Sequence, residues 1–128
     1  MSKMSRNKGA NGEREILKWF KTHFPGLPDL ERNLEQSRGG GADCLTLPGI
    51  ALEVKRQENL LVRAWWEQAV RQALIAERMP VLAYRQNRLR WKFCLPGSLI
   101  VTDSWGYLTL EEEEFIKWYK TQLATEFN

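Results

Sequence analysis

The apolar residues near the N-terminus recur at intervals of three and four positions, which predicts a helix. They are Ile16, Leu17, Phe20 and Phe24. The helix is expected to begin near Gly9 or Asn11 and to end at His23, because Pro25 and Gly26 follow. Residues 1–8 are polar and basic and are expected to form a flexible arm.

Glu13 lies on the apolar side of this predicted helix, because Ile16 and Leu17 follow it by three and four positions. A carboxylate that points inward has two explanations. It takes part in a functional site, or it is a partly solvated residue of the first helical turn that the helix dipole favours. The helical pattern leaves both explanations open.

Turn residues and alternating apolar positions predict strands in the middle of the chain. A short strand is expected at Leu30–Leu34, and a hairpin is expected from Ala42–Thr46 and Ile50–Arg56, which flank Pro48 and Gly49.

In the second strand of that hairpin, Ala51, Glu53 and Lys55 share one face, since side chains alternate along a strand. A carboxylate and an ammonium group therefore project side by side.

The rest of the chain predicts two more helices and two more strands. A long helix is expected over Leu61–Arg78, ended by Pro80, and strands are expected at Val81–Tyr84 and Trp91–Leu95. Thr109 and Glu112 have the spacing of a capping box, which predicts an acidic helix over 109–125. The order is α-β-β-β-α-β-β-α, which indicates an α/β (α+β) chain with a mixed β-sheet flanked by helices.

The length of 128 residues fits one domain. No apolar run reaches the roughly 18 to 20 residues that cross a bilayer, and the N-terminus lacks a signal-peptide stretch. We therefore expect no membrane partner and a cytoplasmic location, which is the host-cell cytoplasm if the chain is phage-encoded. Residues 1–92 carry a net charge of +7 and residues 93–128 a net charge of −4. The basic part indicates a nucleic-acid partner, although a solvated basic surface is the alternative.

Several kinds of chemistry are excluded by the residues that they require. Cys44, Cys94 and the single histidine, His23, are too few and too scattered for a zinc site. His23 stands at a predicted helix end, which disfavours a nucleophile activated by histidine. The glycines at 39–41 precede Ala42 and Asp43 rather than Gly-Lys-Ser/Thr, which excludes a nucleotide-binding P-loop.

Asp43, Glu53 and Lys55 lie at one predicted hairpin, with Glu13 as a further inward carboxylate. Such hard oxygen ligands favour Mg²⁺ or Mn²⁺. The alternative is a surface ion pair, since Glu-x-Lys occurs by chance in many strands.

The hairpin register decides between these interpretations. A two-residue turn would place Asp43 opposite Val54, whereas a loop of three or five residues places Asp43 opposite Glu53. We expect the longer loop or a bulge. We also expect at least one of the clustered carboxylates to have a raised pKa without metal.

These motifs resemble the PD-(D/E)xK nuclease superfamily, and in particular the Holliday-junction-resolvase type of archaea and phages. The resemblance covers roughly residues 6–92. Its segments are Lys8–Glu15, Gly40-Gly41-Ala42-Asp43, Glu53-Val54-Lys55 and Pro80–Tyr84. Ala42 stands where the superfamily often has proline before the acid. The resemblance implies a single nuclease domain with a restriction-endonuclease-like core, and it assigns no role to the acidic C-terminal helix.

Carried over residue by residue, the resemblance implies that Glu13, Asp43, Glu53 and Lys55 are catalytic. Asp43, Glu53 and the backbone carbonyl of Val54 would bind Mg²⁺ or Mn²⁺, and Glu13 would complete the site through a water or a second ion. Lys55 would orient or help deprotonate the attacking water and offset charge on the phosphate.

Further residues are candidates for contact with DNA, because arginine suits phosphate recognition and glycine loops adapt to it. The set consists of Arg14, Arg38, Gly39, Gly40, Gly41, Arg56, Arg63, Arg71, Arg85, Arg88 and Arg90. Gln68 and Gln72 lie one helical turn apart. They either reach the catalytic residues or the DNA as supporting polar groups, or they are ordinary polar positions of a helix. Six tryptophans exceed the needs of the core; most, particularly Trp19 and Trp91, are expected to pack inside, and others to stack on bases or line a dimer interface.

The resemblance thus implies a divalent-metal-dependent endodeoxyribonuclease that acts on branched DNA as a homodimer. One alternative is a nickase or a flap or single-strand nuclease of the same fold. Another is a basic DNA-binding protein in which the acidic residues and Lys55 form a structural ion-pair network.

Overall fold

The computed structural model describes residues 3–28, 30, 43–44 and 46–125, with side chains from residue 11 onward. It contains three α-helices and four strands within these ranges, joined in one place by a short 3₁₀ turn at Gly97–Leu99. The elements in chain order are α1 (Lys3–His23), β1 (Ile50–Arg56), α2 (Val62–Ala76), β2 (Met79–Arg85), β3 (Lys92–Pro96), β4 (Tyr107–Leu110) and α3 (Glu112–Thr125).

The four strands form one mixed sheet in the order β1-β2-β3-β4. Strands β1 and β2 are parallel because α2 returns the chain to the starting edge, and Glu53 is the register partner of Leu82. The β2–β3 and β3–β4 pairs are antiparallel. The expected mixed sheet flanked by helices, and with it the α+β fold class, is confirmed.

The two faces of the sheet are covered by different helices. On one face Leu52 and Val54 pack with Ile16 and Phe20 of α1 and with Phe115 of α3 in the main core. On the other face α2 covers the sheet. Its buried residues Trp65, Trp66, Ala69 and Ala73 meet Ala51, Leu82 and Cys94. Because side chains alternate along β1, Glu53 and Lys55 lie on the face that α2 covers.

Aromatic rings join α1, β3 and α3. The rings of Phe93 and Phe115 stack with centroids 4.1 Å apart, and Trp19 lies 4.9 Å from Phe93. Contacts between aromatic rings contribute about 0.5 to 1.5 kcal/mol each beyond the effect of the area that they bury. Trp91 is buried and Trp19 packs against the core, as expected, whereas Trp105 is 95% exposed.

The C-terminal helix begins and is capped differently from the expectation. It starts at Glu112, and the Glu114 side chain accepts a hydrogen bond from the backbone N–H of Glu111 at 2.9 Å. Thr109 does not cap the helix, because it lies in β4, where its hydroxyl contacts the Cys94 thiol at 3.6 Å. The strand β4 itself was not predicted. The acidic helix has a structural role, since Phe115 and Tyr119 are fully buried in the main core.

The other element boundaries lie within a few residues of the prediction, except at the N-terminus. Helix α1 begins at Lys3, so it includes much of the segment expected to be an arm. Helix α2 ends when Glu77 adopts the left-handed conformation, with φ of 56°, and its N–H bonds back to the carbonyl of Ala73. Residues 31–34, the glycine loop at 39–41, Ala42 and Leu45 lie outside the described residues. None of the described helices has the length and apolar character needed to cross a bilayer.

Helix α1 crosses β1 at Gly12, where the two backbones approach closely. A Cβ atom on Gly12 would lie 2.7 Å from Cβ of Arg56 and 4.0 Å from Cγ1 of Val54. Arg56 Cβ is fixed to the strand backbone, so it cannot move aside without the strand. Glycine at this position therefore sets how near α1, and the following Glu13, can come to the end of β1.

We predict that Gly12→Ala lowers the free energy of unfolding by about 1 kcal/mol or more, because the helix must move away from β1. Alanine favours a helix over glycine by about 1 kcal/mol, so a net loss reports the packing at the crossing. Urea unfolding followed by circular dichroism measures the change. Gly26→Ala is the matched control, because a Cβ there meets no atom within 4 Å, and we expect a change within about 0.5 kcal/mol. A Gly12→Ala variant as stable as the parent would contradict the prediction.

Candidate active site

The candidate site lies on β1, whose side chains point alternately to the two faces of the sheet. One face packs against α1 and α3, and the other packs against α2. Leu52 and Val54 point into the main core, and Ala51 packs against Ala73 of α2 on the opposite face. Glu53 is 3% exposed and Lys55 is half-buried. The strand thus places the carboxylate and the ammonium group on one face, as the alternation predicted.

Asp43 reaches the same place through the register of the hairpin. Cys44 and Leu52 form an antiparallel bridge, with N–H to carbonyl distances of 3.1 and 3.2 Å. In this register Asp43 falls opposite Glu53, and the expected longer loop is confirmed in preference to a two-residue turn.

A turn and a distant tyrosine hold the hairpin loop. The N–H of Ile50 donates to the carbonyl of Leu47 at 3.4 Å, and Gly49 supplies the positive φ of 77° that this turn needs. The hydroxyl of Tyr119 in α3 donates to the carbonyl of Pro48 at 2.8 Å. The loop between the two acidic residues is therefore tied to the last helix.

Asp43 is a buried carboxyl group that holds a proton. One of its oxygens, Oδ2, accepts a hydrogen bond from the N–H of Val54 at 2.6 Å, and the side chain is also hydrogen-bonded to Glu53. Burial, followed by the charges of Glu53 and Glu13, raises its pKa from 3.8 to about 9. Two carboxylates in contact cannot both ionise without a cation, so Asp43 donates its proton toward Glu53.

Glu53 also has a raised pKa, because burial outweighs the stabilising effects of the Asp43 hydrogen bond and the Lys55 charge. Its oxygen Oε2 is buried and has no hydrogen-bond partner among the residues that the structure describes. An acceptor left unpaired in a protein interior is costly, and such atoms call for a missing partner. The raised pKa expected for the carboxylate cluster is thus found for both members of the pair.

Glu13 extends the cluster from the other side of β1. Its side chain is 9% exposed, and its charge raises the pKa of both Asp43 and Glu53. The inward orientation inferred from the helical pattern is confirmed. Glu13 stands next to Gly12, so the close crossing of α1 over β1 brings it to the pair.

Within the part of the chain that the structure describes, Asp43 and Glu53 are the two carboxyl groups in hydrogen-bond contact. Among the described residues, no group of three or more His, Cys, Asp or Glu side chains is arranged to hold a metal ion. The Asp43–Glu53 pair nevertheless fits a hard divalent cation, since it offers the unpaired Oε2 and shares a proton that a cation would replace.

Two of the arginines expected at DNA are tied into the protein by Glu15. Arg56 lies 3.6 Å from the Glu15 carboxylate, and Arg85 pairs with the same carboxylate. Arg56 also donates to Asn87 at 2.7 Å, and Arg85 to the carbonyl of Leu89 at 2.5 Å. These pairs connect α1 to β1, β2 and the turn after β2, so both arginines have a structural role.

The other arginines expected at DNA are exposed where the structure describes them. Arg14 bonds to Asn11, Arg63 is 89% exposed beside Glu67, and Arg88 occupies the left-handed region with φ of 65° at the turn after β2. Arg38 and the glycines at 39–41 lie outside the described residues. Contact of these groups with DNA stays a prediction.

Gln68 and Gln72 lie on α2, the helix that covers the face carrying Glu53 and Lys55. Both side chains are half-buried. Their support of the site stays a prediction.

Two residues that shape the site, Gly12 and Glu15, belong to the Lys8–Glu15 segment of the resemblance, but the sequence alone assigned them no role. Gly12 allows the close crossing, and Glu15 forms ion pairs with Arg56 and Arg85. Glu15 stands two positions after Glu13, so the two residues lie on different sides of α1. This spacing could have indicated from the sequence that the two acids have different roles.

The comparison with protein families defines the class of protein. Residues 4–126 match the model of the family described as "Phage putative PDDEXK endonuclease". The chain is thus an endonuclease of the PDDEXK type. Within that class it belongs to this phage family, and the resemblance inferred from the motifs is confirmed.

One similar solved structure is Hjc, a Holliday junction resolvase from the archaeal hyperthermophile Archaeoglobus fulgidus. The two chains are 20% identical, with a TM-score of 0.49, and the match covers 79% of this chain and 85% of that chain. No curated protein matches the sequence.

We predict that Asp43→Asn stabilises the metal-free protein above neutral pH. The folded state keeps a proton on Asp43 up to a pKa of about 9, whereas the unfolded chain releases it near 3.8. The folded state therefore binds more protons between these values, and the free energy of unfolding falls as the pH rises through this range. Asparagine has no proton to lose and still accepts the bond from Val54.

At pH 8 in EDTA we expect the variant to exceed the parent by about 1 to 2 kcal/mol, with the difference shrinking toward pH 4. Thermal unfolding across pH measures it. Asp103→Asn is the control, because Asp103 is exposed in a loop and should give no pH-dependent gain. A difference that is the same at pH 5 and pH 8 would rule out the shared proton.

Proposed function

We propose that this endonuclease is divalent-metal-dependent, hydrolyses phosphodiester bonds of branched DNA and acts as a homodimer. The observation that carries the metal dependence is the buried contact between Asp43 and Glu53, in which Oε2 of Glu53 has no hydrogen-bond partner within the described part of the chain. Membership of the PDDEXK endonuclease family supports hydrolysis of nucleic acid as the reaction.

Asp43, Glu53 and the backbone carbonyl of Val54 would hold Mg²⁺ or Mn²⁺. The direction of the Val54 carbonyl follows from the strand. Both the N–H and the carbonyl of Leu52 point to Cys44, so two residues further on both groups of Val54 point to the same edge. The N–H of Val54 already bonds Asp43, and the carbonyl is therefore directed toward the same carboxyl group.

Glu13 would act at longer range than the other two acids, through a water or a second ion. Its influence on the pKa of Asp43 and Glu53 supports a place beside the pair. Asp43 must release its shared proton before its carboxylate can bind a cation, so cation binding is coupled to proton release.

A bound divalent cation lowers the pKa of its water and so supplies a hydroxide equivalent near neutral pH. Lys55 would orient this water or help to deprotonate it, and would offset the charge that develops on the phosphate. Lys55 interacts with Glu53 through space, but among the described residues it forms no ion pair within 4.0 Å. This argues against the alternative in which Glu53 and Lys55 form only a structural ion pair.

The proposal that the substrate is branched DNA rests on the resemblance of the motifs to those of resolvases. A four-way junction presents two symmetric cleavage sites, and one small module carries one set of catalytic residues, which favours a homodimer. Arg14, Arg38, Arg63 and Arg88, with the glycines at 39–41, would contact the phosphates. Arg56 and Arg85 would contribute less, because Glu15 neutralises part of their charge.

We predict that Asp43→Asn and Glu53→Gln each reduce cleavage of a labelled four-way junction by about 100-fold or more in Mn²⁺. Both variants remove a carboxylate and keep the side-chain size. Gel-shift assays in EDTA should show unchanged DNA binding. Asp103→Asn and Glu113→Gln are the matched controls, since both acids are exposed and lie in other parts of the fold. Cutting by Asp43→Asn at the parent rate would end the catalytic assignment.

The preferred substrate is tested with synthetic four-way junctions, flaps, duplexes and single strands at the same concentration in Mn²⁺. We expect the four-way junction to be cut fastest, with paired symmetric cuts, because a homodimer presents two sites. Preferred cutting of the flap or the single strand would indicate the alternative nuclease of the same fold. Binding of all four without cutting would leave a DNA-binding protein.

A further inference from the structure

The loop between β3 and β4 presents a tryptophan to solvent. Trp105 is 95% exposed, whereas Trp65, Trp66 and Trp91 are at most 5% exposed. Tryptophan has one of the largest apolar side chains, and burying it would stabilise the fold. An exposed indole makes no such contribution to the core. Its presence on the surface points to a binding role.

The loop that carries Trp105 is held by its own hydrogen bonds. The N–H of Gly97 donates to the carbonyl of Gly106 at 2.9 Å and closes the loop, and the N–H of Ser104 donates to Val101 at 3.1 Å. The N–H of Gly106 also donates to the Ser104 hydroxyl at 3.2 Å. The backbone on both sides of Trp105 is therefore fixed, and little conformational entropy is lost when a ligand meets the ring.

Trp105 borders a groove against the exposed side of α2. The groove has a volume of about 550 Å³ and is lined by Arg63, Trp66, Glu67, Val70, Arg71, Trp105 and Gly106. Arg63 and Glu67 are 3.8 Å apart and largely exposed, so their pairing is weak. Two guanidinium groups against one carboxylate leave the groove positive.

We propose that this groove binds an unpaired segment of DNA, with a base stacked on Trp105 and the backbone phosphates at Arg63 and Arg71. Exposed aromatic rings beside arginines are the combination that binds single strands without regard to sequence, because every base has a flat face. Bases within a duplex are already stacked and cannot reach the ring. The inference rests on DNA being the substrate of the proposed function.

The groove lies on the face of the sheet that also carries Glu53. Trp66 contacts Tyr107 at the start of β4, with ring centroids 5.7 Å apart, and β4 is three strand spacings from β1. At about 4.8 Å per spacing, β4 lies roughly 14 Å across the sheet from β1, which carries Glu53. Because α2 covers the sheet between these two places, a strand that leaves the duplex near the pair would cross the exposed side of α2 to reach Trp105.

The test measures binding of a short fluorescein-labelled oligothymidine and of a hairpin duplex by anisotropy in EDTA, so that no cleavage occurs. Trp105→Ala should weaken oligothymidine binding by about tenfold and leave duplex binding within twofold. Trp105→Phe should restore most of the affinity. Arg71→Ala should reduce the slope of log K against log salt by about 0.7, as expected for one lost phosphate contact on a single strand, whereas Trp105→Ala should leave that slope unchanged.

Ile100→Ala and Lys120→Ala are the controls. Ile100 is 78% exposed in the same loop and offers apolar surface without a ring, and Lys120 is an exposed cation on α3. Equal losses for Ile100→Ala and Trp105→Ala, or no loss for Trp105→Ala, would overturn the proposal. A change of oligomeric state in Trp105→Ala, measured by light scattering, would also overturn it in favour of contact between two copies. These outcomes are independent of cleavage, which the Asp43→Asn and Glu53→Gln variants test.

Discussion

The contact between two buried carboxyl groups is the constraint on which the rest of the structure depends. Asp43 and Glu53 are both less than 7% exposed, and like charges that close would repel strongly in a medium of low dielectric. The chain accommodates the pair with a shared proton, the N–H of Val54 and the nearby charge of Lys55. Among the described groups none satisfies the second oxygen of Glu53, so the arrangement costs stability at the candidate site.

The surrounding fold maintains this unfavourable arrangement from several directions. The close crossing at Gly12 keeps Glu13 beside the pair, and the bridge between Cys44 and Leu52 sets which residues face each other. Glu15 joins the strand ends through Arg56 and Arg85. Together these contacts fix the backbone segments that carry Glu13, Asp43 and Glu53.

The hydrophobic pattern of the sequence predicted the elements whose formation depends on residues a few positions apart. The apolar spacing placed α1 and α2, and the alternation in β1 put Glu53 and Lys55 on one face. The parity of the hairpin loop followed from the requirement that Asp43 face Glu53, and the Cys44–Leu52 bridge has that parity. In each of these cases, the residue types within a short segment were enough to predict the element or the direction of its side chains.

The remainder depends on residues far apart in the chain. Strand β4 has only four residues, and the capping signal at Thr109 overlaps it, so the local pattern favoured the helix. The close approach of Gly12 to Arg56 joins residues 44 positions apart, and the pairing of Glu15 with Arg85 joins residues 70 positions apart. The exposure of Trp105 likewise depends on which helices cover the sheet, so the residues of its own loop could not predict this exposure.

The bond from Tyr119 to Pro48 has a consequence for protein synthesis. It joins residues 71 positions apart and holds the loop between the two central acids. A ribosome translates Glu13, Asp43, Glu53 and Lys55 long before it reaches Tyr119. While the chain is still being made, the loop between Asp43 and Glu53 lacks the hydrogen bond that Tyr119 later donates to Pro48.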